Sequence, residues 1–204
     1  MRFPFFGSVR GLFAVERLRR VLTRVSTPLL IVVVFVLTHA TVAAQQPEED
    51  NRLAKAVFLV NLTKFVTWPG DAFPHDQAPL VIGIVGEDPF GSFLEEAIKT
   101  ERASSRPLMI RRYSGVSEVS DCHLLFIGQQ DAGLQRTIVD SLQNRPVLTV
   151  SDREGFVENG GMIGFRKIEG KLHLQVNPEA AAESGLSISS KLLRLADVVP
   201  QNIK

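Results

Sequence analysis

Residues Leu80 to Ile98 read LVIGIVGEDPFGSFLEEAI: an apolar run, a glycine-containing turn and an amphipathic stretch. A short continuous apolar run is the mark of a strand buried on both faces. Asp88 is placed to cap a helix whose first position is Pro89. Phe90, Phe93, Leu94, Ala97 and Ile98 follow at i, i+3, i+4, i+7 and i+8, one face of a helix. The stretch predicts a strand feeding a helix through a loop, the repeating unit of an α/β domain.

The same grammar continues on both sides. Upstream, a helix is predicted from Asp50 or Asn51 to Trp68, with a wide apolar face through Ala54, Phe58, Leu62 and Phe65, and Pro69 as its stop. Downstream, Leu108 to Tyr113, Leu124 to Ile127 and Pro146 to Val150 read as strands, with a helix through Leu134, Ile138 and Leu142 before the last of them. Met162 to Arg166 then pairs through the turn IEGK with a strand in which Leu172, Leu174 and Val176 alternate with His173, Gln175 and Asn177. That alternation predicts a half-exposed antiparallel hairpin. Asn177-Pro178 caps a short helix ending near Gly185, and Ser189 to Val199 predicts a final amphipathic helix. The expected fold is α/β, a three-layer sandwich with a mixed sheet of about six strands, strand–helix–strand units and a C-terminal antiparallel hairpin.

A glycine-bearing loop between strand and helix raises the question of a phosphate site. Gly86 and Gly91 have the spacing of a phosphate loop, but Ser92-Phe93 stands where Lys-Ser/Thr is required, and Glu87 and Asp88 put negative charge where a phosphate would sit. The dinucleotide pattern G-x-G-x-x-G is also absent. Gly86, Asp88, Phe90 and Gly91 remain the candidate ligand loop on fold geometry alone, since open α/β sheets bind ligands beyond the carboxyl ends of their strands. Gly128 to Asp131 lies at the equivalent place on a neighbouring strand. His75 falls in a proline-rich loop, His123 next to Cys122 on a strand, and His173 on the exposed side of the hairpin, so they do not combine. No metal spacing and no nucleophile elbow is present. The reading is of a domain with no catalytic set, no cofactor and no metal.

The chain has 204 residues, 45% hydrophobic and 22% charged, ordinary for a globular protein. Residues 1–44 stand apart: six arginines (at 2, 10, 17, 19, 20 and 24), the apolar core LLIVVVFVL (Leu29 to Leu37), and small residues before Gln45. This is the pattern of a secretory signal peptide cleaved after Ala44. A membrane anchor is the alternative, but spanning requires ~20 apolar residues. Either way the arginines stay in the cytoplasm and the rest is exported. Without the leader, Lys+Arg falls from 23 to 17 and Asp+Glu from 22 to 21, so the exported part carries 17 − 21 = −4 and shows no basic stripe for nucleic acid. Gln45 to Asn51 reads as a polar tether, and 52–204 as a single domain. The lone cysteine, Cys122, opens the apolar run CHLLFIG and is expected as a packed thiol.

Six segments occur together in order: KAVFLVNLTKFVTWP (Lys55 to Pro69), LVIGIVGEDPFG, CHLLFIG, PVLTVSD, NGGMIGF (Asn159 to Phe165) and GLSISSKLLRLADVV (Gly185 to Val199). As a set they resemble the YfiR family of small periplasmic proteins. The resemblance implies a periplasmic, non-catalytic α/β regulator that binds and restrains an inner-membrane signalling protein, a diguanylate cyclase or a histidine kinase. Some members carry several cysteines and respond to oxidation, which this chain with Cys122 alone does not match. The alternative is a periplasmic small-ligand receptor or weak hydrolase using the loop after the first strand. Apolar residues beyond core needs should make the partner contact, and Phe58, Leu59 and Phe65 on the first helix are the candidates. A homodimer is compatible with the reading, and direct membrane insertion after cleavage is not expected.

Overall fold

The computed structural model describes residues 49–101 and 106–200; the predicted leader and most of the tether lie outside the described residues. Helix α1 spans 49–65, so Glu49 to Asn51, expected in the tether, already form its first turn. It ends three residues before Trp68 because Val66–Thr67 (β1) pairs antiparallel with Ser187–Ile188 (β8). The predicted strands and helices follow as β2 (Leu80–Gly86), α2 (Phe93–Thr100), β3 (Leu108–Tyr113), β4 (Leu124–Gly128), α3 (Ala132–Ser141) and β5 (Leu148–Ser151). Then come β6 (Ile163–Ile168), β7 (Lys171–Val176), α4 (Pro178–Glu183), α5 (Ser190–Leu193) and β9 (Asp197–Val198).

The main sheet has seven strands in the order β3-β2-β4-β5-β6-β7-β9. β3, β2, β4, β5 and β6 are mutually parallel, β7 is antiparallel to β6, and β9 runs parallel to β7. The fold is the expected α/β mixed sheet with one strand more. The seventh is Asp197–Val198, which sequence periodicity placed in the last helix. That helix is a single turn, because Asp197 and Val198 pair with Gln175 and Val176 and extend the sheet edge instead.

Alternation along the strands builds two cores. Leu80, Ile82, Ile84, Leu124, Phe126, Leu148, Val150, Ile163 and Phe165 face one side and pack with α1, α2, α4 and α5. Val85, Leu125, Ile127 and Cys122 face the other, under α3 and the turn containing Phe156 and Val157. Burial on both faces is what the unbroken apolar runs of β2 and β4 require. The hairpin turn is tight: Glu169 and Gly170 both have positive φ (51° and 79°), the geometry of a two-residue connection. Its outer face is less exposed than alternation predicts. His173 is exposed, but Gln175 and Asn177 are buried; Gln175 Nε2 donates to Glu158 Oε1 at 3.1 Å, and Asn177 accepts the Ala180 amide to cap α4.

Candidate functional site

β2 lies between its two parallel neighbours, β3 on one side and β4 on the other. The point where an α/β chain reverses its winding is where such sheets open a ligand crevice. Here it is closed by backbone. The Glu87 amide donates to the Gly128 carbonyl at 2.9 Å. A Cβ on Gly128 would meet the Glu87 carbonyl oxygen at 1.8 Å, and one on Gly86 (φ +85°) would meet the Gly128 oxygen at 2.8 Å. Only glycine permits this approach.

The loop that follows is occupied by its own side chains. Asp88 was expected to cap a helix starting at Pro89, but α2 begins at Phe93. Asp88 Oδ1 instead accepts the amides of Phe90 (2.8 Å) and Gly91 (3.3 Å), a local turn that competes with helix. Its Oδ2 accepts Arg112 Nε at 2.8 Å, while Arg112 also donates to Glu95 Oε1 at 2.8 Å and the Gly91 carbonyl at 3.4 Å. The Arg112 hydrogen bond holds the Glu95 carboxyl below its ordinary pKa, against the opposing effect of burial. Phe90 is fully buried, edge-on to Phe126 with ring centroids 4.7 Å apart, so it belongs to the core and offers no ligand surface. Gly91 (φ +56°) lies against the Arg52 guanidinium, which also donates to the Pro89 carbonyl at 2.6 Å. The amides of Glu87, Phe90 and Gly91 and the guanidinium groups of Arg52 and Arg112 are thus engaged inside the loop. Among the described residues no group of three or more His, Cys, Asp or Glu is placed to hold a metal ion.

At the opposite end of these strands, Trp68 and His123 tie three segments together. Trp68 Nε1 donates to the His123 carbonyl at 2.9 Å. His123 Nδ1 accepts the Val81 amide at 3.0 Å, so its Nε2 carries the proton and donates to the Ala72 carbonyl at 3.1 Å. The ring stacks on Phe73 at 4.4 Å, with Arg106 over the far side of Phe73. Burial lowers the imidazole pKa, which keeps this neutral tautomer. Cys122 is buried, and burial pushes its thiol up to about 12. Both residues have sufficient structural employment.

The three apolar candidates on α1 are separated by the helix. Leu59 is fully buried and is core, a correction that follows from its pointing to the sheet while Phe58 turns outward. Phe58 is 39% exposed, beside exposed Leu53 and Val57. Phe65 is half-buried against the core. Phe58 and Phe65, with Asn61 and Leu62, form one wall of a groove of about 380 Å³, whose other walls are Leu172, His173 and Leu174 of β7 and Leu192 and Leu195 at α5. Leu195, within the Ser189 to Val199 stretch expected as an amphipathic helix, is 76% exposed. The missing signal was pairing: a one-turn α5 followed by a strand releases Leu195 to the surface.

Among the described residues no helix is long and apolar enough to cross a membrane. No curated protein matches the chain. A family model described as YfiR/HmsC-like matches residues 53–197, from the second turn of α1 to the start of β9. The chain therefore belongs to the YfiR/HmsC-like family.

Proposed function

We propose that the protein is an exported, non-catalytic regulator that binds and restrains the periplasmic region of an inner-membrane signalling protein, a diguanylate cyclase or a histidine kinase. The observation that carries this reading is the match to the YfiR/HmsC-like family across residues 53–197. The leader-like pattern of residues 1–44 supports export. The internal satisfaction of the Gly86–Gly91 loop favours binding over chemistry. Phe58 and Phe65 are the α1 residues we assign to the contact.

Restraint needs no catalysis. A protein that prefers its partner's inactive state by ~1.4 kcal/mol shifts the partner's equilibrium tenfold. Its effect is stoichiometric and therefore follows dose. Deleting the gene should raise cyclic-di-GMP or kinase output, and graded re-expression in the periplasm should lower it in proportion. Unchanged output on deletion, together with substrate turnover by the purified protein, would replace the regulator with an enzyme.

A further inference from the structure

The groove beside α1 coincides with an unfinished sheet edge. β9 covers only the end of β7, through Gln175↔Asp197 and Val176↔Val198. From Lys171 to Leu174 no described strand lies beside the outer edge of β7. Ladder hydrogen bonds alternate along a strand. The Val176 carbonyl faces outward, accepting the Val199 amide at 2.9 Å. Leu172, four residues earlier, shares that direction and presents its own amide and carbonyl to the edge. The side chains of Leu172 and Leu174 turn into the groove, with Phe58, Leu62 and Phe65 opposite and Leu192 and Leu195 at its end.

Charge selects among extended chains. Lys171, Lys191 and Arg194 are exposed and adjoin the groove residues Leu172, Leu192 and Leu195. None of the three forms an ion pair with a described carboxylate. The acidic residues Glu169 and Asp197 lie beyond the two ends of the free stretch. Residues 45–204 carry a net −4, so these three cations, each next in the chain to a residue lining this apolar slot, are a local excess of positive charge.

We infer that the outer edge of β7, from Lys171 to Leu174, receives an extended segment of the partner as an added strand, with alternate apolar side chains in the Phe58–Leu172–Leu195 groove and acidic residues toward Lys171, Lys191 and Arg194. This deepens the regulator reading and rests on it. Main-chain hydrogen bonds supply affinity in such strand addition, and the pockets for alternate side chains supply specificity. A strand placed ~4.8 Å beyond β7 would fall over the groove.

The test uses the exported chain and three synthetic peptides: alternating valine and glutamate, alternating valine and lysine, and the first peptide with alternate amides N-methylated. The glutamate peptide should perturb the amide resonances of Leu172, His173 and Leu174 and slow hydrogen exchange at Leu172. N-methylation should weaken binding at least about tenfold, the scale of one lost main-chain hydrogen bond. The combined substitution K171E/K191E/R194E, on exposed positions that leave the fold intact, should transfer preference to the lysine peptide. Equal binding of the N-methylated peptide, resonance changes confined to Gly86–Gly91, or self-association of the chain through this edge in sedimentation would each overturn the proposal. Failure of these peptide measurements leaves the deletion phenotype intact, so it is distinguishable from failure of the regulator reading.

Discussion

Two parts of this sheet could meet a ligand, and they use their main-chain groups in opposite ways. At the carboxyl ends of β2 and β4, Glu87 and Gly128 hydrogen-bond to each other, and Asp88 takes up the amides of the loop beyond. At the outer edge of β7, the main chain of Leu172 has no neighbouring described strand, exposed Phe58 and Leu195 share its groove, and exposed Lys171 precedes it in the chain. A fold-level rule points to the first place. The accounting of backbone donors and acceptors points to the second. Topology nominates a site, but only unspent hydrogen-bonding and apolar surface makes it available.

The contrast can be broken most severely at Gly128. A methyl there would meet the Glu87 carbonyl oxygen at 1.8 Å, which forces β2 and β4 apart. Gly128→Ala should cost about 3 kcal/mol or more, beyond ordinary overpacking because the obstacle is backbone. Urea unfolding of the purified protein checks this. A loss under about 1 kcal/mol would mean the crevice can open.

Adjacent residues on α1 sharpen the comparison between core and surface. Leu59 is fully buried and Phe58 is 39% exposed. Leu59→Ala should cost roughly 2–5 kcal/mol, whereas Phe58→Ala should cost less than half of that and weaken partner binding. Similar losses from both in thermal melts would place Phe58 in the core.

A smaller effect is expected at Cys122, whose buried Sγ lies 3.1 Å from the Leu124 carbonyl. Cys122→Ser should lower stability by about 1–2 kcal/mol, because a hydroxyl is desolvated where a thiol packs as a small hydrophobe. With its thiol pushed up to about 12, native Cys122 should also resist alkylation at neutral pH until the chain is unfolded. Rapid alkylation of the folded protein would contradict the packed-thiol reading.

The smallest effect depends on pH. Burial lowers the His123 pKa below 6.5, with the Ala72 carbonyl and Asp121 opposing and Arg106 assisting. The unfolded chain therefore takes up this proton at higher pH than the folded one. Its contribution is complete above about pH 6.5 and is lost as pH falls toward the folded value, with a slope of at most ~1.4 kcal/mol per pH unit. Unfolding free energies at neutral and mildly acidic pH should show the loss, and His123→Gln should reduce it. An unchanged slope in that variant would assign the titration elsewhere.

The parallel half of the sheet was legible because its strands are buried on both faces and carry continuous apolar runs, as in Leu80–Val85 and Leu124–Ile127. Asn177-Pro178 and Glu169-Gly170 were legible because capping and turn chemistry are local. What failed was nonlocal. Val66–Thr67 left α1, and Asp197–Val198 left the final helix, because each found a strand partner distant in sequence. Asp88 looked like a helix cap, yet its oxygens closed a turn and met Arg112 on the neighbouring strand. The candidate groove was hidden for the same reason: Leu172, His173 and Leu195 meet α1 only after those pairings form.

The most direct test of the account joins the edge to the regulation. A strain lacking the gene is complemented in the periplasm with either the native chain or K171E/K191E/R194E at matched levels, and the signalling output raised by deletion is measured. Surface substitutions of this kind should change stability by only a few tenths of a kcal/mol each, so both proteins should accumulate folded. The native chain should return the output to its original level, and the charge-reversed chain should leave it raised. Full restoration by the charge-reversed chain would contradict the claim that this protein restrains its partner through the open edge of β7.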